Sequence, residues 1–165
     1  MIKTKEVVSV LNKHYNVNFK LGLEYAQLAY LVETKFKMPH AGKFLMNLSV
    51  DKTGIHKDKM LAYFVNADVP LTSDIAFEAN DSQFKTVLDV FQAVLKNEQA
   101  VRVELQEAAA ATLKANDYES FEFLQWFIKD GVKDSSEVAT VIDIIESCGA
   151  NNSLADHLIS EVEEE

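Results

Sequence analysis

Cross-linking sulfur, chain breakers, basic charge and long apolar runs are all scarce in this sequence. A single cysteine, Cys148, stands among 165 residues. It excludes an intrachain disulfide framework and fits a reducing compartment. Two prolines and five glycines leave few points at which a helix must stop. Lys and Arg number 16 against 26 Asp and Glu, a formal net charge of -10. That balance argues against nucleic acid, whose phosphates require a basic surface. It suits solubility and, secondarily, the attraction of cations. No apolar run reaches the roughly 20 residues of a membrane span, and Met1-Ile-Lys-Thr-Lys-Glu6 has no apolar core of a secretory signal. The expectation is a cytoplasmic protein with no nucleic-acid or membrane partner. Paired cysteines for zinc, a glycine-rich phosphate loop and a nucleophile turn are also missing.

What is present is helical periodicity. Hydrophobic residues make up 48% and charged residues 25%, ordinary for a soluble domain, and the length suits one domain over residues 1–165. Apolar residues recur at one-face helical spacing in four long segments: about 4–36, 40–69, 83–114 and 118–147. Thr4 starts the first, Pro39 and Pro70 bound the second, and Gly149 caps the fourth. Ser49-Val-Asp-Lys-Thr-Gly-Ile-His56 is the least helix-like stretch within them and predicts a kink or bulge near Lys52–His56. Residues 70–82 read as a long crossover, and 152–162 as a short fifth helix before an acidic tail, Glu161–Glu165. Two helices, a crossover, two helices and a tail helix predict an all-α bundle with one long crossover.

Charges break the apolar stripes at few places. Glu98 sits inside the stripe of Phe91, Val94, Leu95 and Leu105. His14 and Asn18 share a stripe with Leu11, Leu21 and Tyr25, and Gly131 and Asp134 lie on the inner stripe of the fourth segment. Asn18 needs a buried partner, for which Tyr25 or Glu98 is available. His14 and His157 are expected to be hydrogen-bonded or exposed.

Leu95-Lys-Asn-Glu-Gln99, followed by Asn116-Asp-Tyr-Glu-Ser-Phe-Glu-Phe-Leu-Gln-Trp-Phe127, resembles the third and early fourth helices of bacterial non-haem ferritins. Val8–Tyr30, with Tyr25 at its middle, resembles their first helix. The resemblance implies the ferritin-like four-helix bundle and a di-iron ferroxidase centre inside each subunit. It further implies a homo-oligomer, up to a 24-subunit shell or a co-assembly with an active ferritin subunit. Carried over residue by residue, the ligand positions become Asn18, Thr53, His56, Glu98 and Gly131. The neighbouring acidic cluster becomes Asp130, Lys133 and Asp134. Tyr25 and Trp126 match aromatic residues beside the centre.

Iron requires anionic oxygen ligands, and one carboxylate must bridge two ions. Asn18 cannot bridge as a carboxylate does, Thr53 is a poor ligand and Gly131 offers none. Glu98 and His56 remain, with Asp134 or Asp130 as further metal ligands. The alternative for Glu98 is an ion pair with Lys52 or Lys133, an ammonium in place of the metal. Three readings follow: an iron-binding, iron-storing shell subunit with a weakened or lost oxidation centre; a ferritin-like structural or binding protein that no longer handles iron; and an oxidoreductase with one metal held by Glu98, His56 and Asp134.

Overall fold

The computed structural model describes residues 3–78 and 83–162. The sequence periodicity becomes α1 (Lys5–Lys35), then α2 (Pro39–Asp51), a π-helical turn (Lys52–His56) and α3 (Lys57–Asn66) in one run. After the crossover come α4 (Val87–Lys114), α5 (Tyr118–Cys148) and α6 (Asn152–Ile159). Every regular element among the described residues is helical.

Cross-helix contacts give the directions. Lys3, before α1, pairs with Asp117, before α5, at 3.0 Å, whereas Lys35 at the other end of α1 donates to the Phe84 carbonyl at 2.7 Å. The helix α1 therefore runs antiparallel to α4. It also runs antiparallel to the α2–α3 run, since Lys52 meets Asn18 and Asn12 reaches the Pro70 carbonyl. The α2–α3 run and α4 are thus parallel, which only a long crossover permits. Leu11, Tyr25, Leu45, Met60, Phe91, Leu105, Leu124 and Phe127 form the centre of the core, each essentially inaccessible to solvent.

Side chains fasten the connections where the helix ends leave backbone groups unpaired. Thr4 accepts from Val7 N at 3.2 Å, the expected start of α1. The third long helix begins later than residue 83. Thr86 and Asp89 form a capping box, each side chain accepting from the other's backbone, so Phe84 packs into the core ahead of the helix. Met38 gives α2 no side-chain cap; Asp156 of α6 supplies one, accepting from His40 N and Ala41 N at 3.3 and 2.8 Å. A carboxylate at that positive helix end ties the short helix to the bundle. Asn12 and Asn16 hold the start of the crossover, accepting from Thr72 N and Asp74 N while donating to the Pro70 and Thr72 carbonyls. Residues 79–82 of the expected crossover and 163–165 of the acidic tail lie outside the described residues. The fifth helix stops at Ile159, short of the expected 162.

Where α1 crosses the π turn, Gly22 permits close approach. A Cβ there would lie 2.6 Å from Thr53 Cγ2 and 3.1 Å from Lys52 Cβ. Ser49 Oγ donates to the Gly22 carbonyl at 2.6 Å at the same crossing.

Candidate functional site

The site is built around the π turn. Gly54 weakens the helix there, and Thr53 Oγ1 competes for the Ser49 carbonyl at 2.8 Å. The wider turn carries both of its end residues inward: Lys52 is 2% exposed and His56 4%. Thr53 is turned toward Gly22 rather than into the polar core.

Lys52 fills the centre of that core. Its Nζ lies 3.2 Å from Glu98 Oε1, 3.4 Å from Oε2 and 3.1 Å from Asn18 Oδ1. Glu98 is fully buried, as the break in its stripe predicted, and Tyr25 Oη also donates to its Oε1 at 2.9 Å. Burial, then the Glu98 charge, hold the Tyr25 phenol well above its ordinary range. Of the two candidate lysines, Lys133 is on the surface and pairs with Glu137 at 3.7 Å. The lysine in ion-pair reach of the core carboxylate is Lys52.

The chain of contacts continues outward. Asn18 Nδ2 meets His56 Nδ1 at 2.9 Å, and His56 Nε2 meets Asp130 Oδ2 at 2.7 Å. Asn18 thus finds its partners in Lys52 and His56, not in Tyr25 or Glu98. Burial lowers the His56 pKa, with the Lys52 charge adding to it and the Asp130 hydrogen bond opposing. Burial works to raise Asp130, but the His56 hydrogen bond and the charges of His56, Lys52 and Lys133 bring it below the usual carboxylate range. Asp134 is pushed up to about 8 by burial and by Asp130, so it is protonated at neutral pH. His56, Asp130 and Asp134 offer one nitrogen and two oxygens all within 4.8 Å of one another, a group that could hold one cation. Glu98 is joined to Lys52 and Tyr25 instead. Gly131 is buried with a Cβ direction toward Arg102 Cγ, 3.5 Å away.

Aromatic rings close the outer side. Trp126 stands edge-on to His56 at 5.0 Å with Lys59 over its face at 4.6 Å, and Phe127 lies between His56 and His14 at 5.4 and 5.1 Å. His14 is buried and bonded to Glu104 at 3.0 Å, leaving His14 Nε2 and Glu104 Oε2 without partners. Glu104 was missed in the sequence. The available signal was His14 on an apolar stripe, which calls for a carboxylate opposite. His157 is exposed.

This donor set does not fit two iron ions. An ammonium lies beside Glu98, and the other positions carried over from the resemblance hold an amide, a hydroxyl turned away and a glycine.

Comparison with known proteins agrees with this architecture. A protein of Ureaplasma parvum, itself uncharacterized, is 37% identical over 92% of this chain and 88% of its own length. A bacterial non-heme ferritin of Campylobacter jejuni is 25% identical over 96% of the chain and 95% of its own. The crystal structure of M. penetrans ferritin superposes with a TM-score of 0.88 at 26% identity, covering 96% of both chains. The ferritin of the archaeon Archaeoglobus fulgidus shares the fold at 16% identity and a TM-score of 0.89, covering 99% of this chain and 98% of its own. The Ferritin family, described as a ferritin-like domain, matches residues 8–148, and the chain belongs to it.

Proposed function

We propose that this chain is a shell-forming, iron-storing ferritin subunit in which Lys52 has taken the place of iron at the oxidation centre. The observation that carries the reading is the Lys52 ammonium, 3.2 Å from Glu98 Oε1 and 3.1 Å from Asn18 Oδ1. It supplies in one residue the positive charge that a buried carboxylate requires. A cation entering beside Glu98 would have to displace it against like-charge repulsion.

Family membership and ferritin neighbours support iron as the cargo and a homo-oligomer as the assembly. Under this reading the protein provides storage volume as a single-domain subunit. Iron is oxidised in an active partner subunit of a mixed 24-subunit shell, or slowly without a catalytic centre. The net charge of -10 suits an acidic surface that gathers Fe(II). No helix among the described residues is long and apolar enough to cross a membrane, and the shortage of basic residues gives nucleic acid no footing. The location that fits is the cytoplasm.

Stopped-flow oxidation at two Fe(II) per subunit, against autoxidation in buffer, tests the reading. The expected result is a rate close to that of buffer, unchanged in Glu98→Ala. A fast phase that vanishes in Glu98→Ala would refute it.

A further inference from the structure

We propose that the groove between α3 and the first half of α5 binds a small planar aromatic acid, its rings laid against Tyr63, Phe123 and Trp126 and its anionic group held by Lys59 and Lys129. The site needs no metal and no part of the Lys52–Glu98 pair.

The groove follows from helix direction. The α2–α3 run is parallel to α4, and α5 turns back after a short connection, so α3 and α5 are antiparallel. Tyr63 of α3 lies opposite Ser120 and Phe123 of α5. Its hydroxyl is 3.0 Å from Ser120 Oγ, and its ring stacks on Phe123 with centroids 4.0 Å apart and planes at 9°. One turn nearer the π turn, Lys59 meets Trp126. Ala62, between the two contacts, is too short to close the gap between the helices. Two adjoining hollows result, of about 500 and 600 Å³. They share Tyr63, Asn66, Glu122 and Phe123 in their walls and so form one groove. Small-molecule sites have this size, roughly 300–1,000 Å³.

The rings are held from behind. Phe123 stands edge-on to Phe127 at 5.2 Å, and Trp126 edge-on to Phe127 and His56 at 4.9 and 5.0 Å. Ser120 Oγ donates to Asp117 at 2.8 Å, which leaves it to accept from the Tyr63 hydroxyl. Rings fixed in this way lose little freedom when a ligand arrives. Trp126 nevertheless remains 37% exposed.

Charge selects the kind of aromatic compound. Lys59 Nζ lies over the indole at 4.6 Å, and Lys129, about one turn beyond Trp126 on α5, lines the same end of the groove. Among the described residues neither ammonium forms an ion pair, whereas Lys3, Lys52, Lys57 and Lys133 do. An indole face holds a cation without neutralising it. In a chain of net charge -10, two such cations beside one indole are a local exception. Glu122 and Glu119 stand about one and two turns back along α5 and repel an acid from the far end. The anionic group therefore belongs between the lysines.

A peptide does not fit the same groove. Lys59 to Asn66 spans about 10 Å of helix, under two turns, which is short for a docked helix. Both walls are helices whose backbone groups are already paired, so an extended segment finds no partners. One or two fused rings match that length.

Trp126 is the one tryptophan of the chain and reports on its own groove. Aminomethylcoumarin acetate, two fused rings with one carboxylate, is titrated into the assembled protein while energy transfer from Trp126 is followed. The expected result is saturation at one coumarin per subunit. Uncharged aminomethylcoumarin is expected to bind about tenfold more weakly, as two partly exposed charge contacts allow. The double variant Lys59→Gln/Lys129→Gln should lose the same factor of about tenfold. Lys13→Gln/Lys57→Gln removes as much charge outside the groove and should bind as the native protein does. Ala62→Leu fills the groove and should bind at least about tenfold more weakly, whatever the surface charge. Equal affinity for the two coumarins, or native affinity in Lys59→Gln/Lys129→Gln, would mean an apolar patch only and overturn the proposal. Native affinity in Ala62→Leu, or no transfer from Trp126, would overturn it as well. Iron takes no part in the readout, so the result stands apart from the reading of Lys52.

Discussion

Replacing Lys52 by methionine should be far more damaging than its modest change of shape implies, and a second substitution should undo most of the damage. Lys52 is 2% exposed and Glu98 is fully buried. In Lys52→Met the carboxylate keeps only the Tyr25 hydroxyl, at 2.9 Å, against a buried negative charge. Breaking one side of a buried pair in this way costs about 3–5 kcal/mol. Glu98→Gln strands the ammonium between two neutral amides and should cost a similar amount. The double variant removes both charges, keeps an acceptor for Tyr25 and returns close to the native stability, since a buried pair is worth little against uncharged groups of similar volume. For a chain of this length, 3–5 kcal/mol corresponds to a fall of roughly 6–20 °C in Tm. Thermal unfolding of all four proteins at one subunit concentration and one scan rate gives the comparison, since association and irreversibility both move the midpoint. Either single variant losing less than about 4 °C, or a double variant losing the sum of the two, would show that Lys52 and Glu98 are not coupled as the geometry requires.

Asp134, pushed up to about 8, holds a proton in the folded chain that it releases near 3.8 when unfolded. Its contribution to stability is therefore complete below about pH 4 and is lost as pH rises through 8. The margin of Asp134→Asn over the native protein should widen by a few kcal/mol between pH 5 and pH 9 in denaturant titrations; a margin that stays constant would refute the assignment. Gly22→Ala places a methyl 2.6 Å from Thr53 Cγ2, so it should cost about 1–3 kcal/mol by overpacking, and Thr53→Ser in the same chain should recover most of that. A neutral or stabilising Gly22→Ala would mean that α1 and the π turn are not held so closely.

The long helices were legible because each keeps one apolar face for many turns, and two prolines bound the second. The disturbance at Lys52–His56 was legible for a local reason: Gly54 within an otherwise good helix. Its consequence was not. A π turn shifts the inward face along the chain, so Thr53, carried over as a ligand position, turns to Gly22 and its neighbour Lys52 turns to Glu98. Glu98 was readable as a buried charge because its own stripe is apolar. Its partner was narrowed to two lysines and no further, because the choice depends on how α5 is rotated, and α5 presents Lys133 outward to Glu137. Cross-helix pairs with no unusual spacing escaped altogether. The His14–Glu104 bond and the Asp156 cap on α2 join residues about 90 and 115 positions apart, and no local pattern announces them. The start of α4 was set too early because Phe84 extends the apolar stripe, although the Thr86–Asp89 capping box lies within it.

A crystal of the native protein, soaked anaerobically in Fe(II) and measured at the iron edge, puts the central claim to its most direct test. The expected result is Lys52 Nζ still about 3.2 Å from Glu98 with no anomalous peak inside the bundle, any iron lying on the acidic surface. Two iron peaks bridged by Glu98, with Lys52 swung out of the core, would contradict it.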